Sequence, residues 1–285
     1  MWRALQIGLC GLVLFGCSAT PDAGPKIHVM RDNGAVVGSM IYDHGGPVIH
    51  GTFNIYYIWY GNWSSNTAGA ILTDLASNLG GSPYYAINTT YSDAAGAVEN
   101  SVKFAGSTTD NYSKGKTLAD DDIFTIVSSA IESNRLPRDN NALYYVLTTP
   151  EVKESSGFCS AYCGWHDHKQ LGATDIKYAF VGDPGEQCPS LCEAQVTSSP
   201  NKNPPADGMA SVIAHELDGT ATDPDHNGWF DANEQENADK CVNQYGTTYL
   251  APNGSKANLK LGPRNYLIQE NWANQGTGMC VQSLP

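Results

Sequence analysis

VIHGTFNIYYIWY, residues 48–60, is the stretch on which the reading of this chain turns. Its β-branched and aromatic residues run with few polar breaks, the pattern of a buried strand. Working outward, residues 68–79 place apolar side chains at 71, 72, 75, 76 and 79, a helical spacing that Gly80-Gly81 ends. Residues 84–91 and 101–106 predict two further short strands. Asp120-Asp121-Asp122 opens an amphipathic helix through Ile131, with carboxylates where the helix dipole favours them. Residues 142–149 (ALYYVLTT) and 176–181 (IKYAFV) read as strands, and residues 207–217 as a helix. The order is β-α-β-β-α-β, then a cysteine-rich stretch with another strand, then a helix carrying His-Glu. It predicts one α+β domain, a mixed sheet with helices. No linker-like segment near Glu151 supports a division into two domains.

Composition narrows the function classes. The chain has 285 residues, 41% hydrophobic and 16% charged, enough apolar material for a packed core. Acidic residues number 29 against 16 basic ones, a net charge of -13. Phosphate backbones repel such a chain, so nucleic acid is not expected as a partner. After the N-terminus, no apolar run approaches the ~20 residues of a membrane-spanning helix.

The N-terminus reads as an export signal: Arg3 is followed by a nearly unbroken apolar stretch from Ala4 to Gly16. Leu14-Phe15-Gly16-Cys17-Ser18 resembles a bacterial lipobox, which makes Cys17 a candidate lipidation site. The expected organisation is a signal at 1–17, a polar tether at 18–44 and a domain at 45–285. A bacterial chain of this kind is expected as an outer-membrane lipoprotein, touching the membrane only through its anchor. Asn62, Asn88, Asn111 and Asn253 open glycosylation sequons, relevant only in a eukaryotic source.

Export also governs the remaining cysteines, Cys159, Cys163, Cys188, Cys192, Cys241 and Cys280. In an oxidising compartment they predict up to three disulfides among about 15 possible pairings. A four-thiolate zinc site from the two Cys-x3-Cys pairs is the less favoured alternative.

The chemistry concentrates after residue 159. Ala214-His215-Glu216-Leu217 matches the start of the zinc-peptidase pattern His-Glu-x-x-His, in which two histidines one turn apart bind zinc and the glutamate activates water. The second ligand position is Gly219, which has no side chain to offer. Asp218 points about 60° away from that direction and is a poor substitute. A chain reversal after Gly219 brings Asp223 toward His215, and His166 or His168 can approach from Trp165-His166-Asp167-His168. Asp223, Asp225, Asn227, Gly228, Trp229, Asp231 and Glu234 fall at positions 1, 3, 5, 6, 7, 9 and 12 of an EF-hand-type calcium loop. Asp223 cannot serve both sites, so the Zn²⁺ and Ca²⁺ readings compete. No Gly-x-Ser-x-Gly elbow and no phosphate-binding glycine loop occurs.

The ordered motifs resemble the Exordium, or phosphate-induced protein, family of secreted proteins. They run from Gly45-Gly46-Pro47-Val48 through Ile55-Tyr56-Tyr57-Ile58-Trp59-Tyr60-Gly61-Asn62-Trp63 and Tyr144-Tyr145-Val146-Leu147-Thr148. They continue through Phe158-Cys159, Cys163-Gly164-Trp165-His166, Cys188-Pro189, Asp207-Gly208-Met209 and Ile213-Ala214-His215-Glu216-Leu217. Glu236-Asn237-Ala238-Asp239-Lys240-Cys241, Asn271-Trp272 and Cys280 complete the series. The resemblance implies an extracellular or cell-surface location and carries no established reaction. Family members often have an acidic residue at the position of Gly219, a pattern from which this chain departs. The strand–helix order before the His-Glu helix also looks like a zincin-type three-layer scaffold.

The leading expectation is an exported Exordium-like binding or signalling module. A cell-wall polymer, a glycan or an extracellular protein is the expected partner. The alternative is a metal-dependent, peptidase-like hydrolase. It uses Glu216 as general base, His215 and His166 as metal ligands, and Asp223 or Glu236 to complete the sphere.

Overall fold

A computed structural model describes residues 40–284. The expected export signal, Cys17 and the tether up to residue 39 lie outside the described residues. The remainder of the tether is tied down: Tyr42-Asp43 pairs antiparallel with Trp229-Phe230, and the His44 ring stacks on Phe230 at 3.7 Å.

The chain forms β1 (Phe53–Tyr60), α1 (Ala68–Asn78), β2 (Val102–Asp110), α2 (Asp120–Glu132), β3 (Ala142–Thr148), β4 (Gly164–Leu171), β5 (Thr174–Gly182) and α3 (Pro204–Thr222). The five strands make one sheet in the order β2-β1-β3-β5-β4. Four of them run parallel, and only the edge strand β4 is antiparallel, hairpinned to β5. Parallel strands covered on both faces need nearly continuous apolar sequence, which explains why β1 and β3 are mostly apolar, with all seven residues of β3 buried.

Tyrosine pairs on neighbouring strands report the layers. Tyr57 and Tyr145 are register partners, and their hydroxyls donate to Leu72 O on α1 and Ile213 O on α3. Tyr56 and Tyr144, one residue earlier, lie on the opposite face and stack at 5.1 Å. The Tyr144 hydroxyl donates to Pro137 O in the segment after α2. Alternation along the strand thus places α1 and α3 on one side and α2 on the other. The result is a three-layer α+β domain.

In α3 every residue from 206 to 222 is buried. Pro204 and Pro205 sit where a helix tolerates proline, and the Asn203 side chain accepts from Ala206 N. The helix lies between the sheet and the C-terminal segment, whose Gln269 N donates to Ser211 Oγ. It runs five residues past the predicted end at Leu217, so Gly219 does not terminate it. Two further expectations differ from the structure. Tyr85–Thr90 is a 3₁₀ helix rather than a strand. The polar run Gly164–Leu171, to which the sequence pattern assigned no element, is the edge strand β4.

All six cysteines among the described residues are paired, as Cys159–Cys188, Cys163–Cys192 and Cys241–Cys280. The thiolate zinc alternative is therefore excluded. Two bridges clamp the segment before β4 to the single helical turn Pro189–Cys192, and the third anchors the chain's end. Asn88 is fully buried and hydrogen-bonded, so its sequon is closed in the fold.

Candidate metal centre

The edge strand, the central helix and the loop after it converge on one buried group. His166 comes from β4, and His226 and Glu236 come from the segment that leaves α3. One potential ligand atom from each lies within 4.8 Å of the others. His166 Nε2 is 3.6 Å and His226 Nδ1 is 4.0 Å from Glu236 Oε1. The side chains of His166, Glu236 and His226 are 0%, 2% and 8% exposed.

Each histidine is held by its other ring nitrogen. Glu216 Oε2 accepts from His166 Nδ1 at 3.2 Å, and Asp167 Oδ1 accepts from His226 Nε2 at 3.2 Å. The Tyr178 hydroxyl donates to the other Asp167 oxygen. Carboxylates that fix the tautomer and aim the free nitrogen are the usual support of metal-binding histidines. A tetrahedral zinc ion with bonds of about 2.0–2.1 Å separates its ligands by roughly 3.3 Å. The separations here, 3.6 and 4.0 Å to Glu236 and at most 4.8 Å within the trio, are wider than that. Two imidazoles and one carboxylate suit a transition metal such as Zn²⁺ better than Ca²⁺.

Gly219 makes this convergence sterically possible. A Cβ there would lie 2.3 Å from Glu236 Oε2 and 2.9 Å from His166 Cε1. A glycine inside a helix costs about 1 kcal/mol relative to alanine. Here the missing side chain provides the space that the Glu236 carboxylate occupies.

Of the residues predicted for the metal, His166 and Glu236 come together, whereas His215 and Asp223 are directed elsewhere. His215 Nε2 faces Asp239 Oδ1 at 3.2 Å. Burial opposes its charging, but the Asp239 hydrogen bond and the Glu216 charge outweigh this and raise its pKa to about 9. Asp223 closes the end of α3, where its Oδ1 accepts from Gly228 N at 2.6 Å. Asp218, on another face of the helix, accepts from the Tyr84 hydroxyl and from Asn88 Nδ2, and burial raises its pKa to about 7. Glu216 belongs to the site through His166, with 1% of its surface exposed. His226, which the sequence reading assigned no role, is the third member of the trio. It carries no motif of its own; within DPDHNG it looked like a spacer of the calcium loop.

The calcium-loop residues are distributed among separate partners. Asp225 faces Lys177 at 2.8 Å, and Asp231 pairs with buried Lys240 at 2.9 Å. Trp229 joins the small antiparallel ladder with Asp43, while Asn227 and Glu234 are exposed. Asp225 also forms a second cluster with His168 and Asp175, into which Lys177 Nζ projects, 2.7 Å from Asp175 and 2.8 Å from Asp225. An ammonium thus already neutralises those carboxylates. Burial works against the Asp175 charge, but Lys177 and His168 prevail and hold its pKa below the usual range.

Fold and site together define a disulfide-braced, three-layer α+β protein with a buried histidine–carboxylate centre beside an antiparallel edge strand. The chain belongs to the family of the phosphate-induced protein 1 conserved region, which matches residues 41–265. It is 32% identical over 270 residues to Protein EXORDIUM-like 5 of Arabidopsis thaliana, covering 80% of this chain and 74% of that protein. Protein EXORDIUM-like 3 of the same plant is 29% identical, with coverage of 81% and 80%. Protein PHOSPHATE-INDUCED 1 of Nicotiana tabacum is 26% identical, with coverage of 66% of each chain. No solved structure matches. Among the described residues, no helix is long and apolar enough to cross a membrane.

Proposed function

We propose that this chain is an exported, cell-surface binding module whose β4–α3 junction is organised by a transition metal held by His166, His226 and Glu236. One observation carries the reading: each histidine has one ring nitrogen fixed by an acidic side chain and the other turned toward the same Glu236 carboxylate. Such a centre would pin the loop after α3 to the sheet edge. Three disulfides suit an oxidising compartment, which supports export. Lipidation at Cys17 is part of the same proposal, with the domain displayed on the short segment that follows.

Burial favours binding over catalysis at this centre. A hydrolytic zinc site keeps a position open to substrate, whereas Glu216 is 1% exposed and engaged with His166. The hydrolase is the second reading, supported by the His-Glu helix lying beside an antiparallel edge strand, a zincin-like layout. Calcium at 223–234 is the weaker metal proposal, because Lys177 and Lys240 compete for its carboxylates.

Elemental analysis of chain purified without chelators or a histidine tag tests the centre. About one equivalent of zinc or a related metal is expected, lost in Glu236→Gln and His226→Ala but retained in His215→Ala. Stoichiometric metal that survives both ligand variants would overturn the site. Chelator-sensitive peptide hydrolysis abolished by Glu216→Gln would replace the module with the hydrolase.

A further inference from the structure

A cavity of about 360 Å³, sharing no residue with the candidate metal centre, lies between the turn Pro189–Cys192, the first turns of α3 and the C-terminal segment. Its walls differ in character: Pro200, Pro204 and Leu267 are apolar, while Glu193, Asn243 and Tyr245 carry polar groups. Glu193 is 8% exposed, and its Oε1 has no hydrogen-bond partner among the described residues. A buried polar atom left without a partner is costly, so a ligand that satisfies it is favoured.

We propose that this cavity is a saccharide-binding site in which Glu193 and Asn243 engage sugar hydroxyls and Tyr245 packs against the ring. This extends the reading of the chain as a binding module and does not depend on the metal. A pyranose has apolar faces and a rim of hydroxyls that both donate and accept, which matches the two kinds of wall. A cation is the less suitable occupant. The second carboxylate in the cavity, Asp207, already accepts from Asn201 N at 2.9 Å and Asn201 Nδ2 at 2.6 Å, with Arg264 near it. Burial, aided by the charge of Asp183, raises the Glu193 pKa to about 7, so near neutrality its carboxyl group can donate as well as accept. The wall is also preformed: Cys188 and Cys192 of the adjoining turn are both tied by disulfides to the segment before β4. Little ordering is then left to be done on binding.

The test is calorimetric titration of the disulfide-intact exported chain with cellotetraose, with chitotetraose and, separately, with spermidine. Binding of at least one tetrasaccharide is expected, weakened about ten-fold or more by Glu193→Ala and by Tyr245→Ala. Glu193→Gln, which keeps a hydrogen-bonding side chain, should retain most of it. Melting curves identify any variant that fails to fold, and Leu267→Met serves as a mild second probe of the apolar wall. Chain treated with a chelator should bind the sugar as untreated chain does, so failure of the metal reading would leave this result standing. No binding of either tetrasaccharide, binding unchanged in both alanine variants, or uptake of spermidine alone would overturn the proposal.

Discussion

Gly219 illustrates how much one missing side chain can decide. In sequence it is the defect in a His-Glu-x-x-His pattern; in the fold it is the space in which Glu236 meets His166. Gly219→Ala ought to gain helix propensity, yet its Cβ would fall within 2.3 Å of the Glu236 carboxylate. Overpacking of this kind costs about 1–3 kcal/mol. Chemical denaturation should therefore show a net loss of stability, and Gly219→Ala combined with Glu236→Ala should recover much of it. A stabilised single variant would mean that Glu236 moves freely away from the helix. His215 teaches the converse. It is the most recognisable residue of the motif, but its bond to Asp239 removes it from the trio.

At the level of elements, the end of β5 holds an acid whose environment makes stability depend on pH. Asp183 is 3% exposed, and burial, reinforced by Glu186 and Glu151, raises its pKa to about 6 against the bond it accepts from Gly185 N. In the unfolded chain an aspartate titrates near 3.9. The folded state thus holds this proton more tightly, and the group's contribution is fully present below about pH 4 and lost as pH rises through about 6. Asp183→Asn keeps an oxygen for Gly185 and removes the buried charge. It is expected to raise the melting temperature at pH 8 and to change little at pH 4. Equal effects at both values would show that Asp183 does not carry this dependence. The edge strand β4 shows a different control at the same scale. Its polar residues could not be recognised as a strand by hydrophobic periodicity, because His166, Asp167 and His168 face partners supplied by α3, β5 and the loop after α3.

Across the whole molecule, the three layers are held from one side by the C-terminal segment, which covers α3. The Cys241–Cys280 bridge spans 39 residues and anchors the segment that also carries Glu236, Asp239 and Lys240. Cross-links of this size stabilise by roughly 2–4 kcal/mol, mainly by restricting the unfolded chain. Replacing both cysteines with serine should shift the denaturation midpoint accordingly while preserving the sheet's circular dichroism. An unchanged midpoint would show that packing alone holds the segment.

The hydrophobic period of residues 48–60, 68–79, 120–131 and 142–149 was enough to specify the α+β class and most of the central elements. The reason is that strands and helices buried in layers must carry a matching apolar pattern. The six cysteines likewise announced disulfides, but only folding selected one pairing. The candidate site was legible in part: His166, Glu216 and Glu236 could be named from motifs and family resemblance. His226 could not be found, nor could the partners of His215 and Asp223, which are Asp239 and Gly228, be foreseen. Their separations along the chain carry no information about how β4, α3 and the following loop pack. Which side chains meet is a property of that packing, and tertiary structure alone determined it.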